Sequence, residues 1–236
     1  CRRKILMASL AYQRSIFRSS YNPLVGVTEA TIWPKNTAYV FPASASVMTL
    51  YSTSTADTTQ SVLIEGLDAN HNEISEVLVL NGQAGRVSTQ AFLRVNQLMV
   101  LVDSPVGNIA FGTGTATAGV PANTYAYISA GDNISNSAVY TVPAGYTLRL
   151  TSGSISAGGA TGSQTITAKF FSIIGGVKYL TAFITLANNY QFFPYNPSLD
   201  VPEKSDVYNN VVASASTSSV SATFNGYLIK NNIMRS

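Results

Sequence analysis

Apolar and polar side chains alternate along most of this chain with a period of two residues, which is the repeat of a β-strand. In residues 165–170, for example, Ile166, Ala168 and Phe170 alternate with two threonines and a lysine. Other segments, such as 74–80, are more continuously apolar, which is typical of strands covered on both faces. The pattern predicts strands over residues 60–66, 74–80, 92–102, 147–155, 165–173, 179–186 and 220–229.

Helical patterning is confined to residues 5–17, which are good helix formers, so we expect helix in less than about 15% of the chain. Turn signals separate the predicted strands. Asn81-Gly82 suits a tight reversal, and Pro143-Ala-Gly145 suits a type I turn. Strands and turns that recur at this spacing favour β-sandwiches and jelly rolls over alternating strands and helices.

The least strand-like part of the middle is residues 112–123, which are rich in Gly, Thr and Ala and contain Pro121. This composition predicts a linker. We therefore expect an all-β chain with two antiparallel, jelly-roll-like β-sandwich domains and an N-terminal arm. The expected divisions are a basic arm and lead-in at 1–45, a first domain at 46–119 and a second at 120–236, with 158–163 as an exposed loop tip.

The composition points to assembly. Charged residues make up 11% of the chain against about 25% in typical domains, and there are 13 Tyr and 10 Phe. Interface cores are depleted in charge and enriched in aromatic residues, so we expect a symmetric homo-oligomer, a trimer or larger. A single cysteine, Cys1, excludes an intramolecular disulfide, and no apolar stretch is long enough to span a membrane.

The net charge of +3 is unevenly distributed, because five basic residues precede the first acidic residue, Glu29. Basic side chains mixed with apolar ones can attach a chain to another surface. Nucleic acid is not the expected partner, and a solvated chain end is the alternative interpretation. The predicted partner-binding residues are Arg2, Arg3, Lys4, Arg14, Phe17 and Arg18.

The residues offer little for catalysis. His71 is the single histidine, it lies in a polar turn, and no Gly-x-Ser-x-Gly motif is present, so we expect no enzyme activity, no catalytic residue and no cofactor. Asp68, Asn70 and Asn72 alternate as in the opening of a calcium loop. The sixth-position glycine and twelfth-position acid of that motif are missing, so a plain turn is expected, with calcium as the alternative.

Aromatic residues cluster beside two prolines near the end of the chain. We expect this cluster to enter a domain core or a subunit interface, and a carbohydrate-stacking platform is the alternative. The residues concerned are Tyr190, Phe192, Phe193 and Tyr195.

Several blocks resemble virion structural proteins of tailed phages, particularly marine and other environmental ones. The long block around His71 is the most specific, and the others follow in the expected order. They are Tyr21-Asn-Pro23, Ile32-Trp33, Ile64-Glu-Gly-Leu-Asp-Ala-Asn-His-Asn-Glu-Ile-Ser-Glu76, Leu80-Asn-Gly82, Phe92-Leu-Arg-Val95, Gly107-Asn-Ile109 and Tyr140-Thr-Val-Pro-Ala-Gly145.

The resemblance implies a non-enzymatic part of the virion with β-sandwich domains, of the kind labelled tail, fibre or uncharacterised structural protein. It implies other virion proteins as partners and transfers no catalytic residues. The expected role is an assembly module, either of the tail and fibre-attachment apparatus or of the capsid surface, as decoration or cement. A receptor-recognition module that binds host glycans is the alternative.

Overall fold

The computed structural model describes residues 13–158, 164–187, 189–215 and 218–231. Within these residues the regular structure is β apart from one 3₁₀ turn, Gly82–Ala84, which confirms the prediction of an all-β chain. No helix in this part of the chain is long and apolar enough to cross a membrane. The strands are β1 (Gln13–Val25), β2 (Ala30–Thr31), β3 (Ser46–Ser52), β4 (Ser61–Leu67), β5 (Glu73–Val79), β6 (Arg86–Phe92), β7 (Arg94–Val102), β8 (Ile109–Thr117), β9 (Val120–Ile128), β10 (Tyr140–Thr141), β11 (Tyr146–Gly158), β12 (Ile166–Ile174), β13 (Val177–Leu186), β14 (Tyr190–Val201), β15 (Asp206–Ala213) and β16 (Ser218–Lys230).

The strands form four small antiparallel sheets. Sheet A has the order β1-β16-β11-β14, and sheet B has the order β10-β15-β12-β13, with β2 also paired to β15. Sheet C has the order β6-β3-β8-β9, and sheet D has the order β5-β4-β7. The sheets share apolar cores in two pairs, so the described chain consists of a first unit (sheets C and D) and a second unit (sheets A and B).

The core of the first unit follows from strand alternation. In β4, Val62 and Ile64 are fully buried while Glu65 is exposed, as a period of two requires. The buried side chains of sheets C and D interdigitate, and the rings of Phe92 and Phe111 meet edge to face at 5.5 Å between centroids. Each buried side chain of this size contributes about 1.5–3 kcal/mol relative to leaving it exposed.

The second unit closes over two further apolar clusters between sheets A and B. Sheet A contributes residues such as Leu150 and Phe224, and sheet B contributes residues such as Phe170 and Val211. Strands β1, β2 and β11–β16 are numbered 1 to 8 along the unit, leaving out the two-residue strand β10, which also pairs with β15. They have the order 1-8-3-6 in sheet A and 2-7-4-5 in sheet B. The first unit is therefore inserted between the second and third strands of the second unit.

An N-terminal arm with a helix over residues 5–17 was expected, but the described residues from 13 onward form a strand instead. Residues 13–25 form strand β1, which pairs with β16 from Gln13 opposite Ile229 to Val25 opposite Ser218. The pairing forms ladder hydrogen bonds and buries Ile16 and Val25, whereas an isolated short helix is marginal in water. Residues 1–12 lie outside the described part of the chain.

The expected linker at 112–123 lies instead mostly within a β-hairpin, in which β8 and β9 pair and the chain reverses through Ala118 and Gly119 at positive φ. Gly112 marks a close backbone approach, since a Cβ there would lie 1.9 Å from the carbonyl oxygen of Asn123. The glycines that suggested a loop thus permit strand contact. The expected division at 119 and 120 falls inside this hairpin, and residues 159–163 of the expected loop tip are outside the described residues.

An aromatic chain and two ion pairs, Arg94–Asp206 and Arg14–Glu73, join the two units in the described part of the chain. The rings of Trp33, Tyr39, Phe41 and Tyr208 follow one another at 4.9–5.7 Å between centroids. The guanidinium of Arg94, at the start of β7, lies 5.0 Å from the centroid of Phe41 and forms an ion pair with Asp206 at the start of β15. The junction is therefore packed and hydrogen-bonded.

Candidate functional site

Strands β13 and β14 end sheets B and A on the same side of the second unit, and together they form what we call the apolar edge. Residues of both strands, including Thr181 and Tyr195, line one groove. Large apolar side chains around this edge are about half exposed: Val177 53%, Tyr179 50%, Leu180 53%, Phe183 58%, Tyr190 57% and Phe192 51%. An exposed apolar surface of this size usually marks an interaction site.

The four predicted aromatic residues divide between two faces of β14. Phe193 points inward, where its ring lies 5.0 Å from that of Phe170 and 5.6 Å from that of Tyr195, centroid to centroid. Burial raises the pKa of Tyr195, against a hydrogen bond with Thr181 that lowers it. Tyr190 and Phe192 point outward. The cluster thus supplies both core and surface, and its four rings do not form one stacking platform.

Charge is nearly absent from the apolar edge. Its two charged residues are Lys178, whose Nζ lies 3.8 Å from the ring centroid of Phe171, and Asp200, whose carboxylate accepts two hydrogen bonds from Arg149 at 2.7 and 2.8 Å. A groove of about 490 Å³ runs between the strands and is lined by residues such as Leu180 and Leu199. The edge therefore suits an uncharged partner surface.

Sequence reasoning missed the contribution of β13. Simple alternation places Leu180 on the same inward face as Ala182 and Ile184, but a register shift between Phe170 and Phe171 turns Leu180 outward. The signal that could have located this surface is Phe183, an aromatic residue on the face that alternation assigns to solvent.

The predicted basic residues meet a different surface. Arg2, Arg3 and Lys4 lie outside the described residues. On β1, Phe17 is 59% exposed, while Arg14 and Arg18 line a cleft of about 370 Å³ between β1 and sheet D. Arg14 forms an ion pair with Glu73. The structure thus separates the apolar and the basic members of the predicted site.

No protein-family model matches the chain, and no curated protein matches it. Among solved structures, the chain is similar to the VP2 subviral particle of infectious bursal disease virus, with 13% identity, 94% of this chain and 73% of that chain covered, and a TM-score of 0.24. The Gt strain structure of the same virus gives 13% identity, the same coverage and a TM-score of 0.23. Particles with T=1 derived from that virus give 13% identity, 94% and 70% coverage and a TM-score of 0.23.

These TM-scores are too low for the likeness to carry an argument about fold or function. None of the three structures is a tailed-phage protein, so the resemblance to tailed phages stays a prediction.

The candidate calcium residues form the turn between β4 and β5. The carboxylate of Asp68 accepts hydrogen bonds from the backbone amides of Asn70 and Asn72, both at 2.8 Å, and from the Asn72 side chain at 3.0 Å. The Asn72 side chain and these amides hold the pKa of Asp68 below its usual value. Both carboxylate oxygens therefore serve the turn itself. Within the described ranges, no three His, Cys, Asp or Glu residues cluster as metal ligands would.

We expect prolonged EDTA treatment to leave the melting temperature within about 1–2 °C of the untreated value, because the Asp68 turn is held by its own donors. Differential scanning calorimetry before and after chelation and dialysis checks this. A larger drop that added Ca²⁺ reverses would establish the calcium alternative.

Proposed function

We propose that this chain is a non-enzymatic structural subunit of a virus particle and that it binds a second copy of itself through the apolar edge. The observation that carries the proposal is that edge: two neighbouring edge strands with half-exposed aromatic residues and almost no charge. Monomeric proteins protect such edges with charges, prolines or a covering segment, because an unpaired strand edge invites another strand.

Strand β13 is the better pairing strand of the two. It contains no proline and one charged residue, Lys178, near its start. Strand β14 contains Pro194 and Pro197, which cannot donate hydrogen bonds to a neighbouring strand. Backbone pairing between copies therefore uses β13, while Tyr190 and Phe192 of β14 supply side-chain contacts.

The area of the apolar edge is sufficient for a specific contact. A large aromatic side chain buries about 150–250 Å² when fully covered, so each half-exposed one retains about 100 Å². The four half-exposed aromatic side chains on each of two copies bury about 800 Å² in total, and the smaller Val177 and Leu180 bring this to about 1,000 Å², the minimum for a specific interface. Because the edge is nearly uncharged, an identical uncharged edge is a complementary partner.

The strand order supports the virion setting. We infer that each pair of sheets is a sandwich and that the second unit is a jelly roll, because 1-8-3-6 facing 2-7-4-5 is the strand order of a double-sheet jelly roll. That architecture occurs in viral capsid and lectin domains, among others. The sequence blocks around Ile64–Glu76 make tailed phages the proposed source, with the tail and fibre apparatus or the capsid surface as the location.

We expect the double substitution Leu180→Lys and Phe183→Lys to weaken self-association by at least about a hundredfold, because it places uncompensated charge in the centre of the contact. Sedimentation velocity over a concentration series measures the effect. The mass of the wild-type oligomer also tests the expected trimer or larger assembly against a closed dimer.

The matched control is Val87→Lys, which adds a charge at a similarly exposed valine on β6 of the first unit and should leave the oligomer unchanged. A wild-type protein that remains monomeric at high micromolar concentration contradicts the proposal. So does an oligomer that survives the double substitution.

A further inference from the structure

Arg18 is a partly buried cation that has no ion pair among the described residues. Its Nη1 donates a hydrogen bond to the carbonyl oxygen of Phe17 at 3.0 Å, and its Nε is buried without a hydrogen-bond partner. It belongs to none of the four ion pairs found among the described residues, and its guanidinium stacks 5.0 Å from the ring centroid of Tyr140. Burial lowers the pKa of Arg18, yet an arginine remains cationic at neutral pH.

The cleft that contains Arg18 is polar. Ser15 and Ser75 line it together with Asn96 and Gln97, and apolar lining is limited to residues such as Ile16 and Ile74. Glu73 forms an ion pair with Arg14. Glu65 is therefore the carboxylate whose charge acts on Arg18. Glu65 is exposed and forms no ion pair among the described residues, so no carboxylate of the described chain pairs with the guanidinium of Arg18.

We propose that this cleft binds an acidic saccharide, with the carboxylate of a uronic-acid residue on Arg18 and the sugar hydroxyls on the surrounding hydroxyl and amide side chains. An arginine matches a carboxylate through two parallel N–H···O hydrogen bonds. The volume of about 370 Å³ lies within the range of small-ligand sites. This binding is independent of self-association at the apolar edge, which lies on different strands.

The lining favours a saccharide over an acidic peptide. Peptides that bind grooves are usually anchored by apolar side chains or by strand pairing. In this cleft the ring of Tyr140 is already covered by Arg18, and the remaining surface consists mainly of hydrogen-bonding groups. A hydroxyl-rich ligand uses such groups, and its carboxylate supplies the counterion that Arg18 lacks.

The test uses isothermal titration calorimetry of the whole protein with trigalacturonate, and with maltotriose as the uncharged saccharide. Trigalacturonate should bind in the millimolar range and maltotriose should not. Arg18→Met, which keeps the apolar stem, should weaken trigalacturonate binding by at least about tenfold. Arg149→Met, which removes an exposed paired arginine at another site, is the control and should bind normally.

Glu65→Gln keeps the proposal testable even where Arg18→Met does not fold. Removing this carboxylate relieves repulsion of the acidic ligand and should tighten trigalacturonate binding about two- to fivefold. Unchanged or weaker binding to this variant contradicts the assignment. If maltotriose binds as tightly as trigalacturonate, the ligand carboxylate has no role. If triglutamate binds as tightly, the ligand is not specifically a saccharide. If trigalacturonate does not bind, the cleft is not an acidic-saccharide site.

Discussion

Replacing Arg94 by methionine is expected to lower the free energy of unfolding by about 3–5 kcal/mol, because it leaves Asp206 charged, buried and unpaired. The two side chains are 14% and 8% exposed, and the guanidinium donates to both carboxylate oxygens, at 2.9 and 3.1 Å. The substitution also removes hydrogen bonds to the carbonyl oxygens of Pro42 and Leu93. Urea denaturation monitored by tryptophan fluorescence reports on this junction, because Trp33 packs in the adjacent aromatic chain.

The double variant Arg94→Met with Asp206→Asn should recover part of that loss, since the asparagine leaves no unpaired buried charge at position 206. The comparison substitution is Arg149→Met. The Arg149–Asp200 pair is also bidentate, but its side chains are 39% and 44% exposed, so its loss should cost less than about 1 kcal/mol. Equal destabilisation by the two arginine substitutions would show that burial does not control the effect.

Substituting Asp57 by alanine should destabilise the first unit by about 3 kcal/mol or more, because several buried donors lose their acceptor. Asp57 is fully buried between β3 and β4. Its carboxylate accepts hydrogen bonds from the backbone amides of Val106 and Gly107, both at 2.9 Å, and from the side chains of Ser52 and Gln60. One acidic side chain thus fixes two loops, and chemical denaturation of the variant measures its contribution.

The contribution of Asp57 should also depend on pH. Burial raises the pKa of Asp57, but the Ser52 hydroxyl and the two amides together outweigh burial and hold it below the ordinary value of 3.8. A lowered folded-state pKa stabilises the fold above the unfolded-state pKa, and this stability is lost as the pH falls through the folded-state pKa. The difference between wild type and Asp57→Ala should therefore be full at neutral pH and shrink in acid. A difference that is constant down to about pH 2 would contradict this.

The sequence alone located strands well wherever one face of the strand is buried and the other is exposed to solvent. The segments predicted at 165–173 and 220–229 are β12 (Ile166–Ile174) and β16 (Ser218–Lys230). The alternation of apolar and polar residues lies within each strand, so the sequence of that segment is enough to predict the strand. Strand β1 was missed because its partner, β16, lies at the far end of the chain, and nothing in residues 13–25 indicates that pairing.

The candidate sites were predictable to different extents. Tyr190 and Phe192 were selected as candidates because aromatic clusters are rare in sequence, although alternation could not show that Phe193 and Tyr195 turn inward on an edge strand. Arg18 was chosen for its charge. Its cleft could not be predicted, since it is formed where β1 of the second unit faces β4, β5 and β7 of the first.

The insertion of the first unit into the second has a consequence for synthesis on the ribosome. All strands of the first unit emerge before β16, so this unit can fold while translation continues. Strand β1 emerges before every other described strand and pairs within sheet A only when β16 follows about 10–40 s later, at about 5–20 residues per second. During that interval the apolar side of β1 is exposed on the nascent chain. A chaperone that shields this segment would therefore raise the yield of the native protein, while one that acts only after release would come too late for it.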